Sequence, residues 1–374
     1  MDYKRMPIEI EAPEQMGYSN IKYNLTESSV TDQVLDGNFD LKNILLSYSD
    51  HIGKPELRKL IASETRFLGQ DNVLLTPSAA TALFIIHTTL LEKGSHLIVV
   101  RPNYATNIET PKAIGCQIDY IDVKFENGFK TDWDKLESMI RPDTKLISLT
   151  HPHNPTGVCM NKEDFVRLNK IAVQHNAHIL VDETYRELNR IELFPYAADL
   201  NRKIISVSSM SKAYGLPGIR IGWILSQDRL LLEKFLAAKE QIIICNSIVD
   251  EEIAFQCYKN KRSLLKQIEK TSLENFNIVK KWMSDQSHLE WVEPSGGVVC
   301  FPRIKEELKL DYKKFYRDLN ETFGTYVGPG HWFDQAANYF RVGFGYPLKE
   351  ELQTGLENIT NAINLQLKAS SLKP

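Results

Sequence analysis

The chain has no uninterrupted run of about 18 apolar residues, the minimum for a membrane-crossing helix, so no membrane span is expected. Its opening residues, Met1-Asp2-Tyr3-Lys4-Arg5, lead into mixed polar sequence without the apolar segment of a signal peptide. Charge of one sign is scarce too. The formal net charge is -3, and the densest basic cluster, Lys259 to Arg262, reads as a solvated helix face. Nucleic acid is therefore not an expected partner. The five cysteines (Cys116, Cys159, Cys245, Cys257 and Cys300) are odd in number and match no zinc or redox spacing. They read as separate thiols in a reducing, cytoplasmic setting. No G-x-G-x-x-G follows the first expected strand, which argues against a nucleotide-binding Rossmann protein. Internal repeats and low-complexity tracts are missing.

What is present is an ordinary globular balance, 43% apolar and 25% charged over 374 residues, enough for two domains that share an interface. From residue 72, short β-branched runs alternate with amphipathic stretches. The runs are 72–76, 96–100, 117–123, 145–150, 178–182, 203–208 and 220–225. Helices are expected near 80–92, 105–114, 132–141 and 161–175. Continuous apolar strands separated by helices predict an α/β fold, a mainly parallel seven-stranded sheet covered on both faces. The last run follows its predecessor too closely for a helical crossover, so it is expected to run antiparallel. A helical region fills 228–285. The rest predicts a smaller α+β module, with strands at 291–294, 296–301 and 339–344. The expected division is 46–285 for the large domain, and 1–45 with 286–374 for the small one.

In such a sheet ligands gather at the carboxyl ends of the strands. Asn154, Asp182, the segment Ser209-Met210-Ser211-Lys212 and the segment Ser78-Ala79-Ala80 all fall there, with Arg220 and Tyr185 close behind in sequence. A lysine, a carboxylate closing a buried strand, a tyrosine, an asparagine and a hydroxyl–guanidinium clamp are the groups that hold and tune pyridoxal phosphate (PLP). That cofactor forms a Schiff base with a lysine and takes an acidic partner at its pyridine nitrogen. Lys212 is the expected attachment point. Asp182 would pair with the ring nitrogen, although an Asp here also suits a plain helix cap. Tyr185 and Asn154 would donate to the phenolic oxygen. Ser209, Ser211 and Arg220 would hold the phosphate dianion, with the backbone amides around Ser78, Ala79 and Ala80 at a helix N-terminus. Tyr104 can stack on the ring or fill core. Arg341, a charge inside an apolar strand without a local partner, suits a substrate carboxylate.

These residues resemble the class I/II aminotransferases of PLP fold type I, from about residue 20 to about 365. Tyr48-Ser49-Asp50-His51-Ile52-Gly53, His153-Asn154-Pro155-Thr156-Gly157, Val181-Asp182-Glu183-Thr184-Tyr185, the segment from Ser209 to Gly222, and Val327-Gly328-Pro329-Gly330 carry the likeness. The lysine segment most resembles the branch of histidinol-phosphate and related small aminotransferases. The resemblance implies a homodimer with shared sites, in which Tyr48 of the partner subunit reaches the phosphate. It also implies Arg341 as carboxylate clamp and Tyr104 as stacking aromatic. Ser78 stands where the family has glycine, and Ala80 where it has a hydroxyl, so Thr81 or Ser78 is expected to compensate.

The expected activity is ping-pong amino transfer between an L-amino acid and a 2-keto acid, with Lys212 also moving the proton. A PLP-dependent C–S lyase would use the same groups, and a catalytically silent regulator should have lost some of them. A strongly acidic substrate would want a second arginine, for which Arg101 and Arg303 are the candidates. Tyr18, Tyr23, Trp332 and Phe333 are candidate side-chain pocket aromatics.

Overall fold

The computed structural model describes residues 1–371 apart from 36 and 38, so the tail 372–374 and those two positions of the expected small domain lie outside the described residues. Two short helices, α1 (Pro7–Ile10) and α2 (Pro13–Met16), precede strand β1 (Tyr23–Leu25), and α3 (Pro55–Ala62) follows a long irregular stretch. Then come β2 (Val73–Thr76), α4 (Ala79–Leu90), β3 (His96–Arg101), α5 (Thr106–Ile114), β4 (Gln117–Asp122), α6 (Trp133–Ser138), β5 (Thr144–Thr150), α7 (Lys162–Gln174), β6 (His178–Asp182), β7 (Ile204–Ser209) and β8 (Gly222–Leu225). These strands form one seven-stranded sheet of order β2-β8-β7-β6-β5-β3-β4. β8 runs antiparallel to both neighbours and every other pairing is parallel, as the short β7–β8 connection predicts.

Side chains alternate across a strand, and the burial follows that rule. Ile98, Val100, Ile147, Leu149, Ile179 and Val181 pack under α6 and α7, against Trp133, Leu136, Phe165 and Leu168. Leu97, Val99, Leu146, Leu180, Ile205 and Val207 face α4, α5 and α8, against Leu83, Ile86, Ile108 and Phe235. A sheet buried on both faces leaves only its ends open to a ligand.

The expected helical region resolves into α8 (Arg229–Ile243), α9 (Ile248–Lys259) and α10 (Lys261–Ser284). Beyond it lie β9 (Leu289–Glu290), β10 (Val299–Cys300), β11 (Arg303–Ile304), α11 (Tyr312–Arg317), β12 (Thr325–Pro329), β13 (Phe340–Gly343) and α12 (Lys349–Ser371). A second, four-stranded sheet has the order β1-β12-β13-β10 and takes its edge strand from the N-terminal segment. Two strand expectations need correction. Residues 291–294 are not a strand: Pro294 has no ladder donor, and the pairing falls earlier, between β9 and β11. Of 296–301 only Val299 and Cys300 form a strand; Gly296 makes an isolated bridge to Asn189, and the chain bends at Gly297, which has a φ of +65°.

Candidate active site

A cavity of about 280 Å³ opens where the carboxyl ends of β5, β6 and β7 meet β13 and the N-terminal helices. Lys212, Asp182, Tyr185, Asn154, Ser78, Ala79, Ala80, Tyr104, Ser209, Ser211, Arg220 and Arg341 all line it. Tyr48 does not; its side chain is 80% exposed on the outer surface.

Asp182 ends β6 and is buried. Its Oδ1 accepts from the Thr184 amide (3.1 Å) and hydroxyl (2.6 Å), a local turn and not the helix cap considered for this residue, since the following helical turn starts at Arg186 with Tyr185 at its N-cap. Oδ2 has no partner among the described residues, and no ion pair reaches the group. Burial accordingly raises its pKa above the usual carboxylate value. A carboxylate left half-satisfied in a cavity wall fits a cationic ring nitrogen.

Asn154 sits in the loop after β5, and that loop is held by His153. Its Nε2 lies 2.7 Å from the Pro102 carbonyl and its Nδ1 2.8 Å from the Thr156 hydroxyl. Burial lowers the His153 pKa to about 4, so the neutral ring acts as a hydrogen-bonding strut. Asn154 lines the cavity, its Oδ1 accepts from Arg341 Nη1 at 3.0 Å, and its amide nitrogen has no partner among the described residues. The buried Tyr185 hydroxyl likewise has no partner among the described residues.

Arg341 lies on β13, 3% exposed. Nη2 donates to the Thr26 carbonyl at 2.6 Å, the guanidinium sits 4.9 Å from the Phe333 ring centroid, and Nε is a buried donor without an acceptor. Burial lowers its pKa, and no carboxylate stands at ion-pair distance among the described residues. A buried cation with a spare donor calls for an anion.

At the other end, Ser78 caps α4, its Oγ accepting from the Thr81 amide at 3.0 Å and meeting Thr81 Oγ1 at 3.0 Å. Of the two residues expected to compensate for Ala80, Ser78 lines the cavity and Thr81 stands behind it. The α4 amides come close because β8 carries Gly222, where a Cβ would lie 2.5 Å from the Ser78 carbonyl carbon. Ser209 Oγ accepts from the Ser211 amide at 3.3 Å. Arg220 adopts a left-handed backbone (φ 46°, ψ 53°), a strained state for a non-glycine residue that is common at ligand sites. Its Nη1 donates to Pro217 O at 2.7 Å. Together these groups make a cationic and amide-lined cradle suited to a phosphate.

Tyr104 lines the wall between; burial pushes its pKa up to about 12, and its hydroxyl lies 3.4 Å from Glu9 Oε1. Lys212 Nζ makes no hydrogen bond or ion pair among the described residues.

Sequence reading missed Thr26, Glu27, Ser28 and the helices α1 and α2, which close the mouth of the cavity. No local motif marks them. Asp-x-Thr at 182–184 was a readable signal for Thr184. Of the four aromatic candidates, Trp332 alone lines the cavity; Phe333 backs Arg341 instead. Arg101 and Arg303 are corrected: Arg101 pairs with Asp122 (2.7 Å), and Arg303 with Glu126 (2.8 Å) and Glu290 (2.7 Å), all away from the cavity.

The sequence profile of the family described as "Aminotransferase class I and II" matches residues 19–359. A capreomycidine synthase of Streptomyces vinaceus is 27% identical over 345 residues, 91% of this chain and 87% of that protein. An aspartate aminotransferase of Sulfurisphaera tokodaii is 25% identical over 334 residues, 85% and 82% of the two chains. The crystal structure of a PLP-dependent aminotransferase from Streptococcus suis 89-1591 superposes with a TM-score of 0.91 at 27% identity, covering 98% of this chain and 99% of that one.

Proposed function

The chain belongs to the class I and II aminotransferases, PLP-dependent enzymes of fold type I, and we propose that the cavity described above is where it moves an amino group between an amino acid and a keto acid. One observation carries the residue assignment. Lys212, Asp182, Tyr185, Asn154 and Arg341 all line one cavity, and Lys212 Nζ, the second oxygen of Asp182, the Tyr185 hydroxyl, the Asn154 amide nitrogen and the buried Arg341 Nε have no partner among the described residues.

Bound PLP supplies an electron sink that makes a substrate Cα–H bond acidic. Lys212 would hold the cofactor covalently at rest, and its amine, when free, would take the substrate Cα proton as general base and return a proton as general acid. Asp182 would hold the ring nitrogen in its protonated form. Tyr185 and Asn154 would hold the phenolic oxygen, and Tyr104 would pack against the ring. Ser209, Ser211, Arg220 and the amides of Ala79 and Ala80 would hold the phosphate. Arg341 binds the substrate carboxylate, oriented by Asn154 and the Thr26 carbonyl, so that one Cα–H bond points at Lys212 Nζ. Tyr48 of the partner subunit completes the phosphate site in a homodimer, and the enzyme works in the cytoplasm on free amino acids. We take 46–285 as the large domain, and 1–45 with 286–374 as the small one. No helix among the described residues is long and apolar enough to cross a membrane.

The test is the visible spectrum of the PLP-loaded protein with amino acids and no keto acid. Bleaching by a donor, followed by recovery on adding a keto acid, is the expected result. Steady pyruvate release with no acceptor present would overturn amino transfer in favour of elimination. Absence of any band after PLP addition would overturn the cofactor site itself.

A further inference from the structure

Once each charged group of the cavity has its role, three carboxylates remain. Lys212 serves the cofactor and the proton, Arg220 the phosphate, Arg341 the substrate carboxylate and Asp182 the ring nitrogen. Glu9, Glu14 and Glu27 also line the cavity, and none makes an ion pair among the described residues. They come from α1, α2 and the irregular segment after β1.

Glu27 is held most firmly. Its backbone carbonyl is pressed against β13, where a Cβ on Gly343 would lie only 1.7 Å away, two residues from Arg341. The side chain is half-buried and takes one weak bond, from the Tyr18 hydroxyl at 3.3 Å. Burial and the neighbouring Glu14 both raise its pKa, while Lys212 and Arg341 lower it, so it lies near both without being paired to either. An acidic group held this way costs free energy until a cation arrives. Arg341, already assigned to the substrate carboxylate, lines the same cavity, so the rest of a bound amino acid shares the space with these glutamates. Trp332, 7% exposed, supplies an aromatic wall beside the glutamates, a surface on which a flat cation stacks well. A side-chain carboxylate would meet three like charges there and no free arginine.

We propose that the amino donor carries a cationic side chain, a guanidinium or an amine, bound by Glu27 with Glu14 at the mouth of the cavity. This rests on the reading of the cavity as an amino-acid site. A guanidinium suits it best, because its planar fork can serve two carboxylates at once while lying on an aromatic face.

The experiment is titration calorimetry on the PLP-loaded protein with des-amino analogues of arginine, ornithine and citrulline, which keep the carboxylate but have no α-amine to react. The guanidinium analogue should bind at least about tenfold tighter than the urea analogue of the same shape. In Glu27→Gln that ratio should fall to about threefold or less, and Glu14→Gln, at an exposed position, should lower it by a smaller factor. A tighter ornithine analogue would support the cationic class with an amine in place of the guanidinium. Equal binding of the guanidinium and urea analogues to the unaltered protein would overturn the proposal, whether or not the variants fold. So would failure of the cationic analogues to bind a protein that shows its cofactor band. If no band forms, the failure lies with the cofactor site, and the amino-acid reading of the cavity falls with it and takes this proposal too.

Discussion

Asp182 and Arg341 are both buried, both charged and both without an ion pair, yet they are held in opposite ways. Asp182 belongs to the large sheet and is fixed by a residue two positions away, through the Thr184 amide and hydroxyl. Arg341 belongs to the small sheet and is fixed by residues 187 and 315 positions away, Asn154 and Thr26. The cofactor side of the cavity is thus built from local turns on a rigid sheet rim. The substrate side exists only where distant parts of the chain meet. In the residue roles argued above, the first side sets the chemistry and the second sets what is admitted.

Substitutions can separate the two. Lys212→Ala should cut kcat by about 10⁴-fold or more, since one amine both anchors the cofactor and moves the proton; single-turnover assays within tenfold of the unaltered enzyme would remove Lys212 from both roles. Asp182→Asn keeps shape and loses charge, and should lower kcat by about 10²- to 10³-fold with little change in KM. On the other side, Arg341→Leu should lower kcat/KM by about 10²-fold, mostly through KM. If the KM effect appeared at Asp182 and the kcat effect at Arg341, the division between the two sides would be wrong.

The smallest effect concerns Glu183, next to Asp182 and fully buried, where it accepts from the Ala197 amide at 3.1 Å. Burial raises its pKa from 4.5 to about 7 in the folded state. The stability held by its protonated form is complete below the unfolded value and is lost as pH rises through about 7. Thermal melts should therefore show Tm falling from about pH 5 to about pH 8, and the slope should be shallower in Glu183→Gln. An unchanged slope would assign the pH dependence elsewhere.

The same contrast explains what could be read from the sequence. Asp182, Lys212, Arg220 and Asn154 each stand within a few residues of a strand end, and strand ends are marked by period and composition. The seven strands and the antiparallel β8 followed from run lengths and spacing. Glu27, Thr26 and the two N-terminal helices carry no such mark. Their positions depend on β1 pairing with β12, a contact with Thr325 to Val327 that no local pattern announces. The strand expected at 291–294 failed for a related reason: its apolar residues serve a core contact, Trp291 against Phe276, with ring centroids 6.4 Å apart.

In the proposed assignment Asn154 is shared between the two sides: its oxygen accepts from Arg341, and its amide nitrogen would serve the phenolic oxygen of the cofactor. A shared ligand of this kind makes the two ends of the cavity thermodynamically reciprocal. Whatever factor a bound carboxylate applies to the proton affinity of the cofactor, the state of that proton must apply to carboxylate affinity. On that assignment an arriving acid group would be registered at the cofactor before any bond changes. Titrating the visible band with and without acetate or another simple carboxylate would read that coupling as a displaced pKa, and Asn154→Ala should abolish it.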